Sequence, residues 1–320
     1  MIRNLLAKDS LTPFASRARL TTRLCGLCAG FVLLNTFNSP TRAEPVTSPA
    51  SPISYDLESR ENPPLRLHVV TVDLTDPAVR VVVRPGGDDP DGPDGPWTTT
   101  LMTVRQIAER DGLDVAINGG PFMTQQPADP KDRGLPYVAG NWARASGRTM
   151  VDGNLWTETF GGNHASLVVD QQGKVQILTS RQRPPVGAKQ IVSGFNQIVL
   201  NKKNIVRGGP NDLAPRTAIG IDFASTRLFL LVVDGRRPDT SEGMTDFDVA
   251  EEMIQLGAHN AVILDGGGSS TLVLRDPVTG EQKLTNTPSD GSQFFIAFSA
   301  ERPVANVLGI RITKNPESQK

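Results

Sequence analysis

Apolar positions along this chain fall mostly in short, nearly continuous runs, separated by glycine, proline, aspartate and asparagine. Runs of that kind, bounded by turn residues, predict strands. The series begins at residues 65–74 (LRLHVVTVDL) and 79–83 (VRVVV). It continues at 115–117 and at a hairpin of 165–169 with 175–178 across Asp170-Gln171-Gln172-Gly173. A strand-like region at 191–200 follows, then a pair at 217–222 and 227–233, and single strands at 261–264, 294–298 and 307–312. Helical spacing predicts a helix over 100–110, with apolar residues at 101, 104, 107 and 108 and Gly112 as the stop. A second is predicted over 246–256, with Thr245 or Asp246 as N-cap and Gly257 just beyond it. Helices lying between strands predict an α+β or mixed α/β fold: a single domain with a mixed β-sheet core and helices packed on it.

The ends of the chain change the picture of where that domain lies. Residues 1–23 carry Arg3, Lys8, Arg17, Arg19 and Arg23 against a single acid, Asp9. An apolar run at 24–34 (LCGLCAGFVLL) and a polar stretch ending Thr41-Arg42-Ala43 follow. A basic region, a short apolar run and a small-residue site form the pattern of an export signal. The apolar run is shorter than the ~20 residues of a membrane span, so residues 1–43 are expected to be a cleaved signal peptide, with no stable membrane insertion afterwards. Both cysteines, Cys25 and Cys28, lie inside that run. Their C-x-x-C spacing there is read as incidental rather than as a redox or metal motif. Residues 44–64, rich in proline and serine, read as a linker, which leaves a catalytic-size domain over 65–315. Between the strands, the proline-, glycine- and aspartate-rich run 86–96 reads as a solvated loop, and 121–163 as a long excursion, a candidate lid.

Composition narrows the function. The formal net charge of the 320-residue chain is −1, and removal of residues 1–43 would make it more acidic, so no nucleic-acid partner is expected. There is no G-x-x-x-x-G-K-[ST], no H-E-x-x-H and no G-x-S-x-G. Nucleoside-triphosphate chemistry, zincin chemistry and the hydrolase nucleophile elbow are therefore unsupported. Of the three histidines, His68, His164 and His259, none is placed to act in a triad.

Four strand-end segments combine small residues with polar groups: Ile117-Asn118-Gly119-Gly120, Pro215-Arg216-Thr217, Val233-Asp234-Gly235-Arg236, and Leu264-Asp265-Gly266-Gly267-Gly268-Ser269-Ser270-Thr271. Ligands bind outside the carboxyl ends of strands in α/β sheets. Three consecutive glycines let main-chain N–H groups approach a ligand as an anion-binding concavity, and Ser269, Ser270 and Thr271 add hydroxyls. Asp234 and Asp265 are the carboxylates available for acid–base work, and paired carboxylates are the machinery of glycoside hydrolysis. With the hydroxyls they are also hard oxygen ligands that a divalent cation could use. No metal or other cofactor is assigned.

Residues 114–122 (DVAINGGPF), 215–222 (PRTAIGID), 231–236 (LVVDGR), 243–272 and, more weakly, 302–309 (RPVANVLG) together resemble the phosphodiester glycosidase family. Pro121 departs from the family, which usually has an aromatic residue before Phe122. The resemblance implies a hydrolase that cleaves the C1–O bond of a small or polymeric sugar-1-phosphodiester, and the N-terminal pattern makes it an exported one, secreted or periplasmic. In that reading Asp265 or Asp234 is the catalytic carboxylate. Arg216 holds the phosphate through a bidentate fork, and Asn118, Gly119, Gly120, Thr217, Gly266, Gly267, Gly268, Ser269 and Ser270 line the substrate or phosphate site. The alternatives are a metal-dependent phosphodiesterase that cleaves P–O and a non-catalytic glycopolymer-binding protein.

Overall fold

The computed structural model describes residues 51–126, 137–158, 164–179, 181–207, 212–290 and 301–313. Its largest sheet has seven strands. β1 (Ile53–Glu61) and β2 (Pro64–Asp73) form an antiparallel hairpin at one edge. Next come β16 (Arg227–Val233), β15 (Arg216–Ile221), β17 (Asn260–Ile263), β13 (Gln197–Leu200) and β14 (Lys203–Asn204). A second sheet runs β19 (Gln282–Leu284), β18 (Leu272–Arg275), β5 (Val115–Asn118), β20 (Asn306–Ile312), β3 (Val79–Pro85). A third runs β11 (Val175–Leu178), β10 (Ser166–Asp170), β12 (Ala188–Ser193), β8 (Thr149–Val151), β9 (Asn154–Thr157). The smallest sheet joins β4 (Thr99–Thr100), β7 (Trp142–Ala145) and β6 (Phe122–Thr124).

The main core lies between sheets. Val70, Val72, Ile219, Leu230 and Val262 of the seven-stranded sheet share one cluster with Val81, Ile117, Leu308 and Ile310 of the second and Leu167, Val169 and Val192 of the third. Outside it, α1 (Val104–Asp111) and α2 (Asp246–Gln255) each cover a smaller cluster. Both helices begin at a threonine capping box, Thr103 with Gln106 and Thr245 with Asp248. Gly112 ends α1 in the left-handed region at φ 61.

This corrects the expectation of an α+β or mixed α/β fold. The molecule is predominantly β, built of several antiparallel sheets with two short helices among the described residues. The misreading has a physical cause. Strands such as β16, buried from Leu228 to Val233, read as continuous apolar runs, the mark of parallel strands covered by helices. Here another sheet supplies most of the cover, so strands buried on both faces occur in antiparallel pairing.

Local corrections follow the same logic. Residues 53–61, inside the stretch read as a linker, form β1, paired along its whole length with β2. The expected helix over 100–110 starts later, because Thr99 and Thr100 pair with β7. Residues 191–200 are two strands in different sheets, β12 and β13. The excursion at 121–163 contributes β6, β7, β8 and β9. The strand expected at 294–298 lies outside the described residues. Among them, no helix is long and apolar enough to cross a membrane.

Candidate active site

In the large sheet β15 pairs antiparallel with both β16 and β17. The ends of β16 and β17 therefore leave the sheet on the same side, where β15 begins. Asp234 follows β16, Asp265 follows Leu264 at the end of β17, and Arg216 opens β15 opposite Val233. At ~4.8 Å per strand, the two aspartates leave the sheet about 10 Å apart in backbone. The segment after β5 joins them through Asn118. The four segments singled out from sequence thus converge on one end of the molecule, but their side chains do different things there.

Asn118 is fully buried and its hydrogen-bonding capacity is spent. Its Nδ2 donates to the carbonyls of Asp265 at 2.7 Å and Gly119 at 3.3 Å. Its Oδ1 accepts from Thr217 Oγ1 at 2.8 Å and Thr271 N at 3.1 Å. It is a clamp between two sheets and the glycine loop, not a free ligand group. The amides of Gly119 and Gly120 likewise donate to the carbonyl and side-chain oxygens of Asn306, at 2.9 and 3.1 Å. A side chain at Gly119 would collide with Asn306, and one at Gly120 with the Ser193 carbonyl, so these glycines are required for close backbone approach.

The glycine loop is a single tight turn, Gly267–Ser269, and its donors are largely committed as well. Gly266 N donates to Asp265 Oδ1 at 3.0 Å, Gly267 N to the Pro215 carbonyl at 2.8 Å, and Ser269 N and Ser270 N close the turn on Gly266 and Gly267. Of the loop amides expected to cradle an anion, these four are engaged within the protein. Cations stand over the loop instead. A Cβ on Gly267, held at φ 61, would lie 3.1 Å from Arg236 Nη2, and one on Gly268 would collide with the paired Asp290 and Arg302 side chains. Arg302 grips Asp290 with two bonds, 2.6 and 2.7 Å, and lies 4.1 Å over the Tyr137 ring. Arg236 is exposed, sits at φ 60 in a conformation uncommon for non-glycine residues, and makes no ion pair among the described residues. Neither arginine was given a role from sequence, although Arg236 closes one of the four segments and Arg302 opens the weaker family-like stretch. Arg236 lay in plain sight behind Asp234-Gly235, whereas Arg302 is brought in from a distant part of the chain.

Arg216 does not offer the fork expected of it. Its Nε donates to the Met244 carbonyl at 2.9 Å, and its terminal nitrogens meet Asp212 and Asp246, each at 3.4 Å. A guanidinium held by two carboxylates and a carbonyl ties the entry of β15 to the start of α2.

The two aspartates also separate. Asp234 is 1% exposed. Its Oδ1 accepts from Thr287 N at 2.9 Å and Asn286 Nδ2 at 3.2 Å, and its carbonyl accepts from Ser241 Oγ at 2.6 Å. On the other side His68 Nε2 stands 3.4 Å from Oδ2, and His68 Nδ1 lies 3.0 Å from the Tyr55 hydroxyl. Burial, and then the Asp234 charge, push the Tyr55 pKa up to about 12. The phenol therefore stays protonated, and the imidazole bridges it to the Asp234 carboxylate. Asp265, by contrast, is only half-buried by surface. Burial raises its pKa above the ordinary carboxylate range, against the opposing effects of the Ser269 hydroxyl, Arg302 and the Gly266 amide. Ser269, Ser270 and Thr271 are wholly buried beneath it. The Ser270 and Thr271 hydroxyl oxygens have no hydrogen-bond partner among the described residues.

No group of three or more His, Cys, Asp or Glu side chains gathers around one point among the described residues. Of the two carboxylates suggested as cation ligands, Asp234 is committed to hydrogen bonds. The pair therefore does not fit a shared cation, and no step is routed through one.

The β-rich scaffold thus presents a half-buried carboxylate and two arginines around one glycine loop, a combination suited by charge to an anionic small molecule. The phosphodiester glycosidase family model matches residues 111–311; the chain belongs to that family. Among curated proteins it is 27% identical over 223 residues to the N-acetylglucosamine-1-phosphodiester alpha-N-acetylglucosaminidase of Bos taurus, covering 64% of this chain and 38% of that protein. It is 26% identical over 223 residues to the enzyme of that name from Homo sapiens, covering 64% and 39%. The chain thus spans about two-fifths of the length of those relatives. Its fold is similar to the zebrafish catalytic domain of that name, a structure described as auto-inhibited by pro-peptide, with TM-score 0.57, 22% identity and coverage of 86% of this chain and 88% of that one.

Proposed function

We propose that this protein hydrolyses the C1–O bond of a sugar-1-phosphodiester, releasing a free sugar and a phosphomonoester. The observation that carries the reading is the half-buried Asp265, with its raised pKa, beside a loop crossed by Arg236 and Arg302. A phosphate leaving group is already stable as an anion. What lowers its barrier is positive charge fixed where negative charge grows on the bridging oxygen. Arg236 is the free guanidinium for that task, and Arg302 is held in place by Asp290 and Tyr137.

Asp265 is the acid of this scheme. Burial raises its pKa and so favours the protonated form, and that form donates to the bridging oxygen as the C1–O bond breaks with its electron pair going to that oxygen. Water adds to the oxocarbenium-like carbon and returns a proton to Asp265, so the proton count closes. Asp234 has no comparable access to a ligand, and its part is to hold the 286–287 segment. That segment in turn fixes the loop, because Asn286 bonds both the Ser270 carbonyl and the Leu272 amide. The names of the bovine, human and zebrafish relatives make N-acetylglucosamine 1-phosphodiesters the substrate class to try first. A basic region followed by an apolar run in residues 1–43 supports export, which the mass of the protein recovered outside the cytoplasm would test.

Hydrolysis in isotopically labelled water decides the reaction. Label in the released sugar supports C1–O cleavage; label in the phosphate means P–O cleavage and overturns the proposal. Binding of the phosphodiester without release of sugar, with or without chelator, would place the protein among binders.

A further inference from the structure

We propose that the cleft between β3, β20 and the paired ends of β10 and β12 is a second site, which binds a phosphate dianion. The cleft encloses about 690 Å³ and is lined by Arg80, Arg84, Lys189 and Arg311 among others. Arg80 and Arg311 are direct cross-strand partners. Like charges directly opposite in an antiparallel pair sit within about 5.5 Å in Cα and repel. Neither is relieved by an acid: among the described residues Arg80 donates only to the Pro77 and Val79 carbonyls, and the buried Arg311 Nε has no hydrogen-bond partner.

The acids of the cleft are already engaged. Asp152 accepts from Gln190 at 2.6 Å and pairs with Arg84 at 3.2 Å. Asp170 accepts the amides of Gln172 and Lys174, and Asp76 that of Ala78. Two guanidiniums thus remain uncompensated, with Lys189 exposed beside them. A buried donor without a partner and an unrelieved pair of like charges both call for an oxyanion. The charge count favours a group with two negative charges over a carboxylate. The site is distinct from the glycine loop. Asn306, which holds Gly119 and Gly120, and Arg311 are five residues apart on β20, about 17 Å at the rise of a strand. The assignment stands whether or not the glycine loop is catalytic.

The test is calorimetric titration of the full chain with inorganic phosphate, glucose 6-phosphate and sulfate, with thermal unfolding alongside. R80Q/R311Q is expected to weaken phosphate binding at least tenfold, to unfold without ligand at the wild-type temperature or above it, and to keep wild-type sugar release. R80Q alone, at an exposed strand position, serves if the double variant does not fold. R236Q should leave this phosphate binding intact, which separates it from any phosphate held at the glycine loop. Between pH 7 and pH 5 glucose 6-phosphate, a phosphomonoester with a second pKa of about 6, should bind several-fold more weakly while sulfate does not change. Tighter binding of glucose 6-phosphate than of inorganic phosphate would identify a phosphomonoester as the ligand; equal binding would identify free phosphate. Phosphate affinity unchanged in R80Q/R311Q and in R80Q, or absent from the wild type, overturns the proposal.

Discussion

Asp234 and Asp265 occupy matching positions in sequence. Each follows an apolar strand and precedes a glycine, and the two strands end on the same side of one sheet. Yet Asp234 is locked in a buried network with His68, Asn286 and Thr287, while Asp265 keeps a face toward solvent and a raised pKa. The difference lies in what the rest of the chain brings against each. The 286–287 segment closes over Asp234, whereas Asp265 meets guanidiniums that stand beside it without sealing it. A strand-end Asp-Gly can therefore be a structural bracket or a reactive group, and its neighbours in space decide which.

Asp265→Asn should break the comparison most severely. It keeps the shape and the turn but removes the proton donor, so turnover should fall about 10³-fold, with the melting temperature held or raised. Steady-state kinetics beside thermal unfolding reads both. A variant within about tenfold of wild type would sink the carboxylate scheme. Arg236→Gln should come next, at about 10²-fold in kcat, with Lys a poor substitute because an ammonium lacks the planar fork. Gly268→Ala should displace the Asp290–Arg302 pair and cost turnover with little loss of stability, since the clash is with side-chain ends rather than backbone.

Asp234→Asn sharpens the contrast in the other direction. It should cost about 1–3 kcal/mol of stability, measured by denaturant titration, with a smaller loss of turnover than Asp265→Asn in the protein that remains folded. Acidity gives the finest distinction. A carboxyl whose pKa is raised by folding binds more protons in the native state than in the unfolded one. Stability therefore falls as pH rises from the ordinary aspartate value of about 3.9 through the raised one. The unfolding temperature of Asp265→Asn relative to wild type should therefore rise as pH increases across that window. The smallest kinetic effect is expected from Arg216→Gln, which should loosen the β15–α2 junction and leave kcat near wild type. A loss of orders of magnitude in kcat would return Arg216 to the phosphate.

Much of this was legible in the chain. The apolar runs located β2, β3, β5, the β10–β11 hairpin, the β15–β16 pair and β20, because alternating burial and turn residues are local properties. The same runs could not reveal what covers them, so the two helices were taken as the main cover of the sheets where other sheets supply most of it, and β1 was lost in a proline- and serine-rich stretch whose pairing with β2 is a tertiary fact. The four strand-end segments were legible as a set, since each places small residues beside polar ones directly after an apolar run. Their roles were not. Nothing in Pro215-Arg216-Thr217 tells that Asp212 and Asp246 fold back onto the guanidinium, and nothing near Asp265 points to Arg302. The amino-acid sequence by itself determined most of the central strands, the stop of α1 at Gly112, the start of α2 at Thr245 and the positions where chemistry could be placed, because each depends on neighbours along the chain. Only the tertiary structure decided that Asp265 is open and Asp234 closed, because burial, partner and charge come from residues tens to hundreds of positions away.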